Sequence, residues 1–356
     1  MATNYAKTLT HRKKSVKLDA EKVRGETMKT IINDSKNPRY NLALEEYVLK
    51  YLDTKEDFVL LWQNENSVII GRNQNTIEEI NTDYVKKHDV NVVRRITGGG
   101  AVYHDLGNLN FSFVTKSLKD NLNNYRKFTD PVIKALKSLG VNAEFAGRND
   151  IVVDEKKISG NAQSFHKNKM LHHGTILFDA DLSIIADVLN VKADKIASKG
   201  IKSKRARVTN IKPYLTTDIS MVEFKTKLLK YLLNTDDIAP FIYELSTKDL
   251  EKIHELMDMR YNTWMWNYGE SPDFSIEKRG RYEGGSVEIK LNIHEGVIEA
   301  VKIYGDFLGS KDIETLERKL IGVPYEESNV RKALENEPLD EYFFNITLEN
   351  IIDCLF

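Results

Sequence analysis

The chain is 356 residues long, beyond the roughly 100 to 200 of a typical single domain, so two domains are expected. Its 52 basic and 53 acidic residues leave a formal charge of −1, which removes any global electrostatic reason to expect nucleic acid or an anionic membrane as partner; an anion site has to be local. The one cysteine, Cys354, excludes internal disulfides and cysteine-rich metal sites and fits a reducing compartment such as the cytoplasm, and no apolar run approaches the roughly 18 residues of a membrane span.

Residues 1–27 read as a disordered basic tail. Lys7, Arg12, Lys13, Lys14 and Lys17 occur there with no acid among the first 18 residues, a bias shared with mitochondrial transit peptides, but the apolar face is poor. The first strong element is a helix over Asn41–Leu52, on which Leu42, Leu44, Tyr47, Val48, Leu49 and Leu52 form a broad apolar arc. Glu46, Lys50 and Asp53 fall outside the arc. Glu45 falls inside it, so its carboxylate either pairs with a cation or lines a pocket. Phe58–Trp62 and Val68–Ile70, flanking the polar loop Gln63–Ser67, predict a hairpin, and a short helix near Asp83–His88 leads to a strand ending at Val93.

After that strand runs Arg94-Arg95-Ile96-Thr97-Gly98-Gly99-Gly100-Ala101-Val102-Tyr103-His104-Asp105. Three consecutive glycines make positive φ cheap and let a ligand lie against peptide N–H groups, the outline of a phosphate cradle. Two guanidinium forks beside it would grip carboxylate or phosphate oxygens. The plain alternative is a tight turn with two solvated arginines, and the density of Thr97, Tyr103, His104, Asp105 and Asn108 around the glycines argues against it.

Leu109–Phe113 alternates as a strand, and a helix beginning at Asp130 or Pro131 buries Val132, Ile133, Leu136 and Leu139 and stops at Gly140. Gly147–Ala162 reads as two short strands turning at Asp154-Glu155. Alternation there puts Lys156 and Lys157 on opposite faces, so one of them points inward and needs anionic partners. His172 and His173 open the next strand; neighbours on a strand face apart and two ligands are too few, so zinc is discounted. The basic loop Ser198–Arg207 is either a solvated surface or a cover for a phosphate. A helix near Ile219–Leu233 ends the first domain, residues 234–240 read as linker, and Ser246 to Asp249 is a capping signal for a further helix. Val287–Ile293 and Val297–Tyr304 alternate as a hairpin in a small α+β domain over 248–356.

Taken together, Arg94 to Asp105, Gly107 to Phe113, Gly147 to Ala162 and His173-Gly174-Thr175 resemble the lipoate–protein ligases. The likeness runs from about Asn41 to the C-terminus and includes an accessory domain carrying Tyr304-Gly305-Asp306-Phe307. It implies an α+β catalytic domain over 28–240, built on mixed sheet like biotin ligases and class II aminoacyl-tRNA synthetases, followed by a small α+β C-terminal domain. It also implies two steps: lipoate and MgATP give lipoyl-AMP and pyrophosphate, and a lysine of a lipoyl domain then takes the lipoyl group. The implied acceptors are 2-oxoacid dehydrogenase E2 subunits and the glycine cleavage H protein, with a monomeric enzyme as the default and no resident metal.

By the same resemblance, Arg95, Thr97, Gly98, Gly99, Gly100, Ala101, Val102 and Tyr103 hold the nucleotide and the activated acyl group, and Asn108 and Asp150 lie near the adenylate. Glu45, Trp62 and His104 lie near the lipoyl pocket, and Lys157 contacts both the lipoate carboxyl and the α-phosphate. One departure is Asp154-Glu155, where relatives often have Asp-Gly; Glu disfavours the positive φ that such turns use. Three rival readings stay open. An ATP-independent octanoyl or lipoyl transferase would need a cysteine in the catalytic domain, a passive binding module would need neither Lys157 nor Arg95, and a biotin ligase would have a glycine-arginine loop in place of Thr97 to Gly100.

Overall fold

The computed structural model describes residues 28–116, 124–190, 208–268, 276–294 and 296–356. The basic tail 1–27 and the basic loop 198–207 lie outside the described residues. The strands of the first domain are β1 (Lys29–Thr30), β2 (Phe58–Trp62), β3 (Ser67–Ile70), β4 (Asn91–Arg94), β5 (Val102–His104), β6 (Asn108–Lys116), β7 (Glu144–Ala146), β8 (Asp150–Val153), β9 (Lys156–His166) and β10 (Lys169–Leu177). A seven-stranded sheet has the order β1-β2-β6-β10-β9-β8-β7, antiparallel except for β1 beside β2, and a three-stranded sheet has the order β4-β3-β5, with β3 parallel to β4. This is the mixed-sheet α+β domain expected.

Every residue of β2 is buried, because the large sheet is covered on both faces. Val59 and Leu61 pack with Phe111 and Phe113 under the helices Tyr125–Ser138 and Met221–Leu233, while Phe58, Leu60 and Trp62 pack under α1 (Pro38–Lys50). The helix Tyr125–Ser138 starts earlier than the proline signal predicts, capped by Asn124, and carries Pro131 in its interior. Tyr125 and Phe128 extend the stripe of Val132 and Ile133 toward the sheet, and their burial outweighs the hydrogen bond lost at the proline.

The predicted hairpin does not form. β2 joins β1 and β6, whereas β3 joins β4 and β5 in the other sheet. The loop between them is held open by groups distant in sequence: Asn41 Nδ2 donates to the Gln63 carbonyl at 2.8 Å and to Asn64 Oδ1 at 2.9 Å, and Lys36 Nζ donates to Gln63 Oε1 at 3.0 Å. Spacing alone cannot reveal such contacts.

Glu46 is a second correction. Outside the apolar arc it was expected in water, yet it is fully buried, receiving Tyr261 Oη at 2.7 Å, Arg260 Nη1 at 3.0 Å and Lys50 Nζ at 3.0 Å. The cover is the helix Thr247–Leu256 and the π-helical turn Met257–Tyr261, which pack on α1; Tyr47 Oη also donates to Asp249. Residues 247–261 therefore pack into the same core as α1. The segment before them is docked as well, with Tyr243 N–H donating to the Thr30 carbonyl at 2.8 Å.

The C-terminal domain has its own core. Its strands β11 (Ile276–Tyr282), β12 (Gly285–His294) and β13 (Val297–Gly305) form an antiparallel sheet, packed by the helices Ile313–Leu320, Glu327–Leu334 and Leu348–Leu355 around Ile289, Leu291 and Ile303. Among the described residues no helix is long and apolar enough to cross a membrane.

The β8–β9 turn shows how the departure at Asp154-Glu155 is accommodated. Both residues are left-handed, with φ of 47° and 60°. Asp tolerates this region better than Glu. Glu155→Gly is expected to stabilise the protein by ~0.5 kcal/mol, relieving that strain minus the extra unfolded-state entropy of glycine, and urea denaturation checks it.

Candidate active site

The glycine-rich turn joins β4 to β5, and two buried arginines set its shape. Arg94 Nη1 donates to the carbonyls of Gly71, Arg72 and Gln74 at 3.0, 3.1 and 2.6 Å, its Nη2 to Thr76 Oγ1 at 2.7 Å and its Nε to the Trp266 carbonyl at 2.8 Å. Arg95 Nε donates to Thr97 Oγ1 at 3.0 Å, Nη1 to the Ile69 carbonyl at 3.1 Å, and Nη2 to the carbonyls of Gly98 and Gly100 at 2.7 and 3.0 Å. Burial lowers both guanidinium pKa values to about 10, which leaves them cationic at neutral pH. The forks expected to grip a ligand instead grip the protein. Because peptides are planar and trans, carbonyls of Gly98 and Gly100 turned toward Arg95 aim the N–H groups of Gly99 and Ala101 the other way. Gly99 has φ of 94°, a conformation glycine adopts without strain.

The cleft beside this turn is lined by Gly98, Gly99 and Gly100, by Arg95, Lys157, His104, His173 and Asn161, and by an apolar group that includes Leu42, Trp62, Ile69, Val102 and Ala162. A chain of hydrogen bonds runs behind it. His173 Nδ1 donates to the Glu45 carboxylate at 2.9 Å, Ser112 Oγ donates to Glu45 at 2.6 Å, and Trp62 Nε1 donates to Ser112 Oγ at 2.8 Å. At the other end His173 Nε2 lies 2.8 Å from Thr97 Oγ1; with the ring proton on Nδ1 toward Glu45, the neutral ring's Nε2 accepts from the Thr97 hydroxyl. Glu45, expected near the lipoyl pocket, thus stands one layer behind the cleft and orients His173.

His104 is the unsatisfied member of the site. Asn64 Oδ1 accepts from Asn41, which fixes that amide, so Asn64 Nδ2 donates to His104 Nδ1 at 3.1 Å and the ring proton sits on Nε2. That Nε2 is buried with no partner among the described residues, in a ring that lines the cleft. Burial and the nearby Arg95 push its pKa down to about 3, so it is a neutral donor awaiting an acceptor.

Lys157 reaches the cleft through a β-bulge. Asp150 pairs with Gly160 and Ile151 with Ser159, but Val152 then pairs with Lys157, leaving Ile158 as an extra residue in β9. Paired residues share a face, so the bulge puts Lys157 with Asp150, Val152 and Gly160, while Lys156 shares the face of Val153 at the exposed hairpin end. Without it Lys157 would face away from Gly160. Its Nζ sits 2.7 Å from Asp150 Oδ1.

A model of the lipoyl protein ligase A/B catalytic domain matches residues 37–233, and one of the bacterial lipoate protein ligase C-terminus matches residues 271–355. The chain belongs to the lipoate–protein ligase family. The lipoate-protein ligase LplJ of Bacillus subtilis is 50% identical over 326 residues, covering 91% of this chain and 98% of its own. Among solved structures, P. falciparum LipL1 in complex with lipoate superposes with a TM-score of 0.74 at 27% identity, covering 92% of this chain and 97% of its own. A lipoate-protein ligase A bound with ATP superposes with a TM-score of 0.58 at 31% identity, covering 68% of this chain and 99% of its own.

Other residues named from sequence fall at graded distances from the ligase's cleft. Tyr103 does not reach it: between Val102 and His104 on β5 it faces the opposite side, packing with Val68 and Ile70 and donating to Asn66 Oδ1 at 3.1 Å. Ala101 packs against that same cluster, and Asn108 is buried behind Asn110, donating to its Oδ1 at 3.2 Å. His173 was missed as a site residue. Strand alternation separates it from His172, which stacks 4.9 Å from Phe128 on the other face, and the carboxylate on the apolar arc of α1 is the signal that points to it.

The accessory domain packs against residues that line the ligase's cleft. Gly99 N–H donates to the Phe307 carbonyl at 3.2 Å, Gly305 N–H donates to the Asn73 carbonyl at 2.7 Å, and Leu308 is buried against Tyr125 and Ala162. Arg72 pairs with Asp312 at 2.8 Å and Lys290 with Glu78 at 3.1 Å across the same boundary.

Two buried neutral histidines make the ligase acid-sensitive. His172, like His104, is held well below its ordinary pKa by burial. Below about pH 6.5 the unfolded chain takes up protons that the folded chain refuses, so stability falls as pH falls. Between pH 7 and pH 5 the two together are expected to remove roughly 3 to 4 kcal/mol, and His172→Phe should halve that drop in urea denaturation at the two pH values.

Proposed function

We propose that the ligase activates lipoate with MgATP in this cleft and passes the lipoyl group to a lysine of apo lipoyl domains, those of 2-oxoacid dehydrogenase E2 subunits and the glycine cleavage H protein. The observation that carries the reading is the placement of one ammonium, Lys157, across a cleft from the glycine-rich turn, with the His104 Nε2–H, which has no partner among the described residues, lining the same cleft. Bringing a carboxylate to about 4 Å from a phosphate costs about 4 kcal/mol at an effective dielectric of 20, and a cation between them reverses the sign. As charge builds on the oxygens of the α-phosphate, Lys157 stabilises the transition state more than the ground state. Leu42, Trp62, Ile69, Val102 and Ala162 supply an apolar lining suited to a dithiolane and its alkyl chain, and Asp150 belongs on the adenylate side with Lys157.

Cys354 speaks against a thioester-forming transferase. It is buried in the accessory core, and its pKa is raised by that burial. We place the monomeric enzyme in the cytoplasm, in keeping with its single buried thiol. Intact-mass measurement of an apo lipoyl domain, incubated with the protein, lipoate and MgATP, tests the reading. Addition of one lipoyl group only when ATP is present is the expected result; equal transfer from an octanoyl or lipoyl carrier without ATP would replace it with the transferase.

A further inference from the structure

We infer that Gly160 and Asp150 are positioning residues for Lys157, which rests on the reading of Lys157 given above. The bulge at Ile158 gathers Asp150, Gly160 and Lys157 on one face of the β8–β9 hairpin. A Cβ built on Gly160 would lie 2.9 Å from Lys157 Nζ and 3.1 Å from its Cε, and 3.9 Å from Asp150 Oδ1. The lysine stem therefore runs over bare backbone, in the volume that any side chain at position 160 would fill. Its ammonium ends on Asp150 Oδ1 at 2.7 Å.

Backbone conformation does not demand glycine here, since Gly160 lies within a strand and is not among the residues of positive φ. What glycine supplies is a flat strip along which a long side chain can lie and swing. Asp150 holds the ammonium at the cleft wall. When two anions enter, the stem pivots along the same strip to meet them with no change in β9. A methyl at position 160 pushes the stem off this track, and the displaced atoms are the far end of a flexible chain, so the fold tolerates the change while the chemistry does not.

The test is a double-mutant cycle with a structural arm. Gly160→Ala is expected to melt close to the wild-type temperature, to lose the Lys157–Asp150 contact in a crystal structure of the unliganded variant, and to form lipoyl-AMP about 100-fold more slowly, the scale of an ångström-sized misplacement. Asp150→Asn, which keeps shape and removes charge, is expected to slow the same step. Neither change should slow the enzyme further once Lys157→Ala is present, because both act through that lysine.

A Gly160→Ala protein with the ion pair intact and wild-type kinetics overturns the inference. So does a loss that persists undiminished in the Lys157→Ala background, which would assign Gly160 to the sheet and Asp150 to the ligand. If the wild-type protein forms no lipoyl-AMP at all, the functional reading fails, and the crystal structure of Gly160→Ala still decides whether the glycine holds the lysine in place.

Discussion

Lys157→Ala is expected to slow lipoyl-AMP formation at least about 10³-fold, leaving a measurable residual rate, and to slow transfer from supplied lipoyl-AMP as well. Both steps move charge at the α-phosphate: the first as pyrophosphate leaves, the second as AMP leaves. Each loses its counter-charge with the lysine. The fold should survive, because the Lys157 side chain is 40% exposed and its ion pair with Asp150 is partly solvated. Lys157→Arg should fail nearly as badly, since a planar fork cannot replace a compact ammonium between two anions on a strip as narrow as the one beside Gly160. Lys156→Ala, one residue away on the other face, should leave both steps near wild type. Kinetics of the two half-reactions, with thermal melting as the folding control, separate these outcomes; a stable Lys157→Ala protein with near-normal lipoyl-AMP formation would remove the lysine from the mechanism.

The second large effect is on stability. Arg94→Ala is expected to cost about 3 to 5 kcal/mol, because it removes a buried donor shared by the carbonyls of Gly71, Arg72, Gln74 and Trp266 and the Thr76 hydroxyl. Arg94→Lys should rescue little. A single ammonium has three donors at one point, whereas these five acceptors surround a fork. Activity is predicted to fall together with folded protein, not ahead of it, and urea denaturation beside an activity titration distinguishes this from a ligand-binding role for Arg94.

What the sequence discloses about this molecule follows the range of the forces involved. Periodicity marks the apolar stripe of α1 and the alternating strands β6 and β12, since each pattern lies within a single element. The site motifs are legible for a similar reason: three glycines and a dense polar neighbourhood occur together in one stretch. Contacts between distant segments leave no local trace. Glu46 looks solvent-facing until residues 247–261 fold over it, and the loop after Trp62 looks like a hairpin until Asn41 and Lys36 hold it open. Arginines beside a glycine turn read as ligand grips because nothing nearby shows how many backbone carbonyls compete for them. Alternation distinguishes Lys156 from Lys157 but not which one faces inward, because a one-residue bulge inverts the face and leaves no composition signal.

Pyrophosphate release from MgATP, measured with lipoate present and no acceptor protein, tests the central claim most directly. The account predicts a burst that requires lipoate, approaches one pyrophosphate per protein molecule, disappears in Lys157→Ala and becomes multiple turnover once an apo lipoyl domain is added. Release that is indifferent to lipoate, or that appears only when the acceptor is present, would contradict an adenylate formed in the cleft between the glycine-rich turn and Lys157.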